Sequence, residues 1–174
     1  MITYRNALKE DWKTIADLHA RSWQRHYAGI WSEEYLNNLV FEERRAIWKK
    51  RFSDLNANQK IWLAEKEGIL AGFCCIYLND HENWGALLDN LHVDPKHQRT
   101  GIGHQFMKLA AECVLQNNDR PEMYLWVLTA NDQAIKFYEK VGGVNAGSQL
   151  FKNPDGTHSD VFRFHWIEDH LGNL

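Results

Sequence analysis

No apolar run in the chain approaches the length of a membrane span. The first residues, Met1-Ile2-Thr3-Tyr4-Arg5, show no basic stretch leading into a greasy one. Neither a transmembrane segment nor a secretory signal is expected, and no membrane partner. Cysteine is scarce: there are three, two of them adjacent at Cys74-Cys75, which makes neither a disulfide framework nor a C-x-x-C pair. A reducing cytoplasm is the expected setting. Both adjacent thiols lie in an apolar stretch with no basic neighbour to stabilise a thiolate, so they read as structural. Runs of basic charge are also missing, and 20 Lys and Arg against 23 Asp and Glu leave a net charge of −3. That balance argues against nucleic acid as a partner, and a mildly acidic surface suits a cationic substrate. The nine histidines are scattered without ligand spacing, so no metal site is expected. Repeats, low-complexity tracts and linkers are absent; the one Pro/Gly-rich patch, Asn153-Pro154-Asp155-Gly156, is turn-sized. With 174 residues, 44% of them hydrophobic, residues 1–174 read as a single domain with a real core.

What is present is an alternation of strand and helix patterns. Residues 2–7 read as a strand. Residues 10–26 carry Trp12, Ile15, Leu18, Ser22 and Trp23 at helical spacing. Ser32 is placed to cap a short helix, with Glu33 and Glu34 in its first turn. Residues 41–52 follow as a helix with Phe41, Arg45, Trp48 and Phe52 on one side. The aromatics of these segments, among them Trp23, Tyr27 and Trp31, fill a core or pack a lid. Residues 60–66 and 69–78 form a hairpin about Glu67-Gly68, and 87–93 a further strand. Residues 123–128 are strand again. Asn131 caps a helix with an inward stripe of Ala134, Ile135, Tyr138 and Val141, ended by Gly142 or Gly143. A last hairpin, 144–152 and 160–167, turns at the Asn-Pro-Asp-Gly patch. The fold class is α/β: a mixed, mostly antiparallel central sheet of about seven strands flanked by helices.

The stretch that organises the chain is Leu88 to Gly103. An apolar strand stops at Asp94-Pro95, because proline cannot donate to a ladder. Gln98-Arg99-Thr100-Gly101-Ile102-Gly103 then runs into a helix with Ile102, Phe106, Leu109, Ala110, Cys113 and Val114 on one face. Strand, glycine-bearing turn and helix start together offer unpaired N–H groups to an anion. A dinucleotide fingerprint is excluded by Phe106 at the third glycine position, and a P-loop by His104 after Gly103.

Gln98-x-x-Gly101-x-Gly103 after a strand ending Val93-Asp94-Pro95 resembles the acyl-CoA pyrophosphate loop of the GCN5-related N-acetyltransferases. A second block, from Asn131 through Ala134, Phe137, Tyr138 and Lys140 to Gly142-Gly143, resembles that family's "N-x-x-A-x-x-F-Y-x-K-x-G-F" helix, with Gly143 where phenylalanine is common. The likeness covers roughly residues 1–167; the specific motifs lie between Leu87 and Gly143.

The resemblance implies direct transfer of an acetyl group from acetyl-CoA to a primary amine of a small molecule or peptide, with no metal. It implies that Gln98 to Gly103 hold the pyrophosphate, with Gly101 and Gly103 letting the backbone approach. Backbone groups of Leu91 to Val93, flanking His92, would meet the pantetheine arm and thioester. Asn131 and Ala134 would border the same arm, and Tyr138 would protonate the departing thiolate. Many relatives place a glutamate early in the strand before the loop; here Leu87 stands six before Val93, so Asp89 is the candidate base, with His92 or a water chain as alternatives. Trp23, Tyr27, Trp31 and Asn90 are the expected acceptor-binding residues. Without the usual acid, a non-catalytic acyl-CoA-binding regulator on the same fold is the alternative, and a homodimer stays open.

Overall fold

The computed structural model describes residues 1–54 and 56–174. Seven strands form one sheet in the order β1-β2-β3-β4-β5-β7-β6. These are β1 (Ile2–Asn6), β2 (Gln59–Lys66), β3 (Ile69–His81), β4 (Gly85–Val93), β5 (Met123–Leu128), β6 (Val144–Lys152) and β7 (His158–Trp166). Every neighbouring pair is antiparallel except β4 and β5. The expected mixed, mostly antiparallel sheet flanked by helices is what the chain forms.

One face carries α1 (Trp12–His26) and α2 (Val40–Ser53); the other carries α3 (Ile102–Asn117), α4 (Asp132–Lys140) and α5 (Glu168–Leu171). The strand period of two sorts the residues between the layers. Along β5, Met123, Leu125 and Val127 enter the core beneath α3. Along β3, Phe73 and Cys75 pack under α1 and α2, while Cys74 and Ile76 join the opposite core. Both adjacent thiols are therefore fully buried, and burial raises their pKa values, as inert structural cysteines should show.

Three departures from the sequence pattern have physical causes. A π-helical turn at Tyr35–Leu39 precedes α2 and shifts its register. The buried face of α2 is Val40, Arg44, Trp48 and Phe52, so Arg44, not Arg45, lies inward; Arg45 instead pairs with Asp17 at 2.7 Å. On α3 the fully buried residues include Met107 and Ala111, whereas Leu109 and Cys113 are half-buried. Ala134, Ile135 and Tyr138 of the α4 stripe are half-buried rather than sealed, because that helix borders an open cavity, and only Val141 at its end is buried. The short α5 was not anticipated: four residues are too few to show periodicity.

Gly143, which departs from the resembled motif, has its explanation in Trp166. A Cβ at Gly143 would lie 2.5 Å from the Trp166 ring. That ring is fully buried and donates its indole N–H to the Val141 carbonyl at 2.8 Å. The tryptophan fills the space that a side chain at 143 would need. Gly143→Ala should therefore overpack the core and destabilise the fold by about 1–3 kcal/mol, read as a lower urea midpoint with unchanged m-value. A midpoint equal to wild type would remove this packing argument.

Candidate active site

The pairing of β4 with β5 covers only Ala86 with Met123 and Leu87 with Tyr124. Beyond those residues the strands part. A cavity of about 1000 Å³ is lined by Leu88 to Val93 on one side and Leu125 to Leu128 on the other. Past Leu87, the β5-facing backbone groups of β4 have no ladder partner among the described residues. A wedge of this kind offers main-chain N–H and C=O groups to an extended ligand arm. Leu91 and Val93 both stand in it.

At one end of the wedge lies the glycine turn. Arg99 and Gly101 both have left-handed backbone, with φ of 63° and 90°. Residues alternating into this region turn successive N–H groups toward one point, an anion nest. Among the described residues the amides of residues 99–104 find no acceptor, and the first helical bond of α3 is Gln105 N–H to Gly101 O at 3.0 Å. The nest and the N-terminus of a 16-residue helix coincide. Gln98, Arg99, Gly101 and Gly103 line the cavity. Thr100 does not: its hydroxyl donates to the His97 carbonyl at 2.6 Å and ties the turn together. The Ile102 side chain is buried in the core, so only its backbone amide belongs to the loop. Gly103 works differently from expectation. Its missing Cβ would face the Phe137 ring at 3.3 Å and Leu91 at 3.9 Å, so the glycine lets α3 close onto α4 and β4.

On the far side of the wedge, Asn131 accepts from the Ala134 amide at 3.1 Å as an N-cap, and both residues line the cavity. Tyr138 lines it too, its ring packed on Phe137, Phe164 and Trp166. Burial raises the pKa of its phenol, and Cys74 and Tyr27 push the same way, so it carries its proton at every working pH.

The other end is roofed by α1 and α2. Trp23, Tyr27 and Asn90 line it as expected. Trp31 does not reach the cavity: it is buried behind Trp23 and Tyr27, with ring centroids 4.8 and 4.1 Å away. Asp89 is the extra residue of a bulge in β4, where Cys75 opposes Asn90 but Ile76 opposes Leu88. The bulge turns its carboxylate into the cavity, where Arg51 holds it at 2.7 Å; the same guanidinium nitrogen donates to Asn90 at 3.2 Å. The candidate base is thus the anchor of an ion pair rather than a free carboxylate.

His92 accepts or donates at Nδ1 to Ser22 Oγ at 2.8 Å, and its ring lies 4.6 Å from that of His19. Desolvation, with smaller contributions from His26 and Arg44, brings the His92 pKa down to about 3. His19 is fully buried and lies well below its ordinary value for the same reason, helped by His92 and Arg44. Its Nδ1 accepts from the Trp48 indole at 3.0 Å. Both rings are neutral at physiological pH.

The sequence reading missed His19, Ser22, Arg44, Arg51, Trp126 and Phe137, all of which line the cavity. The available signal was Arg44-x-x-x-Trp48-x-x-Arg51, three residues on one face of α2.

Two outcomes follow. Histidines that are neutral when folded must take up protons on unfolding below pH 6.5, so stability falls with acidification by up to about 1.4 kcal/mol per pH unit for each one. The loss should begin between pH 6.5 and 5, before carboxylates titrate, and His92→Gln should make it shallower in denaturant titrations. Equal slopes would mean that His92 is not the buried base described. Second, Gly103→Val should drive its branched side chain into Phe137 and the wedge. Acetyl-CoA affinity by calorimetry should drop more than tenfold while circular dichroism stays native; unchanged affinity would take the α3 start out of the binding site.

Comparison with known proteins bears on what this cavity holds. Residues 12–143 match the family model described as "Acetyltransferase (GNAT) family". A relative from Bacillus subtilis, named as an uncharacterized N-acetyltransferase YuaI, is 31% identical over 142 residues, covering 80% of this chain and 78% of its own. A spermidine N(1)-acetyltransferase from Thermoplasma acidophilum is 28% identical over 144 residues, covering 81% of this chain and 87% of its own. The crystal structure of the PaiA N-acetyltransferase from Thermoplasma acidophilum, solved with coenzyme A, superposes with a TM-score of 0.71 at 22% identity, covering 95% and 99% of the two chains. With the family model spanning most of the sequence, the chain belongs to the acetyltransferase (GNAT) family, the acetyl-CoA-dependent acyltransferases.

Proposed function

We propose that this protein moves the acetyl group of acetyl-CoA directly to the amine of a small molecule or peptide. The observation that carries this reading is one cavity with an anion nest at one end, an unpaired strand edge along its length, and a protonated tyrosine in its lining. The Thermoplasma relative whose name specifies spermidine supports a small amine as the acceptor.

The roles follow from the geometry. The nest at Gln98 to Gly103, reinforced by Arg99, holds the pyrophosphate. Backbone donors of β4 near Leu91 and Val93 orient the thioester and stabilise charge developing on its oxygen, an effect worth a few kcal/mol in a dry site. Acetyl-CoA supplies the activated acyl group. Asn131 keeps its side-chain N–H₂ for the pantetheine arm, since its oxygen serves the cap. Tyr138 donates a proton to the leaving thiolate.

Removal of the amine's proton has no strong base in this arrangement. A group with a pKa of about 3 will not hold a proton taken from an ammonium near 10, and Asp89 is already paired with Arg51. The proton leaves to water, and the guanidinium groups of Arg44 and Arg51 favour the uncharged amine by opposing the ammonium. Asp89 then acts by positioning Arg51 and Asn90.

Release of free CoA from acetyl-CoA in the presence of a panel of amines tests the activity. Binding of acetyl-CoA with no thiol release from any acceptor would leave a CoA-binding regulator, the reading that the leucine at position 87 and the paired Asp89 favour. For the wild-type transferase, Tyr138→Phe should lower kcat by roughly 10²-fold, the lower end for general acid catalysis because a thiol already leaves well. Acetyl-CoA affinity and thermal stability should stay near wild type, since the ring still fills its place beside Phe164 and Trp166. Full kcat in the variant would leave Tyr138 as packing only.

A further inference from the structure

The acceptor end of the cavity has the wrong charge for a polyamine. The whole chain carries a net charge of −3, yet Asp89 is the sole carboxylate lining the cavity among the described residues, against the fixed cations Arg44, Arg51, Arg99 and Lys140. Arg99 belongs to the pyrophosphate nest, and Lys140 ends α4 on the far side of the wedge. Arg44 and Arg51 belong to neither. They sit seven residues apart on α2, about 10 Å along one helix face.

Both guanidinium groups are held for a purpose that their visible partners do not exhaust. Arg44 is 6% exposed and stacks on Trp23, 4.0 Å above its ring. One of its nitrogens donates to Glu43 at 2.7 Å. Its Nε–H is buried against the protein without a partner among the described residues, out of a ligand's reach, whereas Nη1 makes no hydrogen bond among them and is not sealed off. Arg51 lies over the Trp48 and Tyr77 rings, 4.8 and 5.7 Å away, and spends one nitrogen on Asp89 and Asn90. That bond cancels the one negative charge that could attract an ammonium. Aromatic stacking fixes the planes of the two forks, the arrangement suited to gripping an oxyanion in a defined direction.

We infer that the acceptor is an amine bearing an oxyanion, a carboxylate or a phosphate, which Arg44 and Arg51 grip while the amine faces β4 beside Asn90. This rests on the proposed acetyl transfer and narrows its substrate class. A polyamine would place its second ammonium against guanidinium with no free carboxylate to receive it.

The test is a matched panel, compared at equal concentrations of free amine: α-amino acids against their primary amides, aminoalkyl phosphates against the parent aminoalcohols, and spermidine. Thiol release should show kcat/KM at least tenfold higher for one oxyanion series than for its neutral counterpart, with spermidine lowest. The carboxylate and phosphate arms tell which oxyanion is used. Arg44→Gln should erase the preference while acetyl-CoA affinity stays unchanged. Arg51→Gln frees Asp89 and should raise spermidine turnover relative to the acids. Calorimetry of the same compounds on the CoA-loaded protein reads the preference without chemistry. Anion-selective binding with no thiol release would sink acetyl transfer and keep this inference. Three results would overturn the inference: spermidine as the best acceptor, neither oxyanion series preferred over its neutral counterpart, or an Arg44→Gln protein that loses CoA binding, which would give the arginine to the cofactor.

Discussion

Everything at the site depends on how soon β4 and β5 stop pairing. Two residue pairs of parallel ladder hold them together, after which each strand continues with one edge bare. A bare edge inside a protein is costly, since each unpaired amide forfeits a hydrogen bond. It persists because packing holds the strands apart. Phe137 of α4 seats against Gly103 of α3 and close to Leu91 of β4. The bulge at Asp89 bends β4 just where the ladder ends, and its carboxylate is tied across to α2 through Arg51. The helices that cover the sheet thus also keep its middle open, and an extended ligand can complete the interrupted ladder.

The layout of the sheet was legible because each strand obeys a period of two or a short apolar run, and because Asp94-Pro95, Gly101 and Gly142 mark sharp stops. The pyrophosphate loop and Tyr138 were picked out through their resemblance to family motifs, which is carried by local blocks whose residues are neighbours in sequence. The acceptor end was not. Its residues come from α1, α2 and β4, far apart in the chain, and their relation is set by tertiary packing. Arg44 illustrates the failure. On periodicity Arg45 seemed the inward residue, but the π-helical turn at Tyr35–Leu39 resets the register before α2 begins. A buried arginine also runs against the rule that charges face water, which holds unless a partner compensates. Here Glu43 and the Trp23 face supply that compensation. Trp31 fails in the opposite sense: an aromatic at a plausible spacing proved to be the floor under the two rings that do reach the cavity.

The charge balance of the whole sequence and the charge of the cavity lining point in different directions. A net charge of −3 suggested a cationic ligand, yet the lining of the cavity is cationic. The two statements concern different distances. Surface charges spread over the molecule are screened within about 10 Å at ordinary salt, whereas groups lining a partly dry cavity act at full strength on whatever enters. The acidic residues lie mostly on outer faces, for instance Glu33, Glu34, Glu42 and Glu82, all exposed. Composition therefore speaks to solubility and long-range steering, and only the placement of single residues speaks to specificity.

The neutral histidines extend the same logic to catalysis. His19 of α1 and His92 of β4 sit side by side, between the Trp48 indole and Ser22. Were either protonated, it would add a buried positive charge beside Arg44 and Arg51, whose carboxylate partners Glu43 and Asp89 are already engaged. Desolvation and the neighbouring cations together forbid this, which is why the rings hold hydrogen bonds and fill space instead of carrying protons. On the proposed reading, an acceptor site built this way takes the amine in its free form rather than stripping a bound ammonium, and Tyr138 is the proton donor proposed for the thiolate that departs. The absence of a glutamate at Leu87 is then consistent with the rest of the site: where the pocket itself discourages the ammonium, a dedicated carboxylate base has less to do.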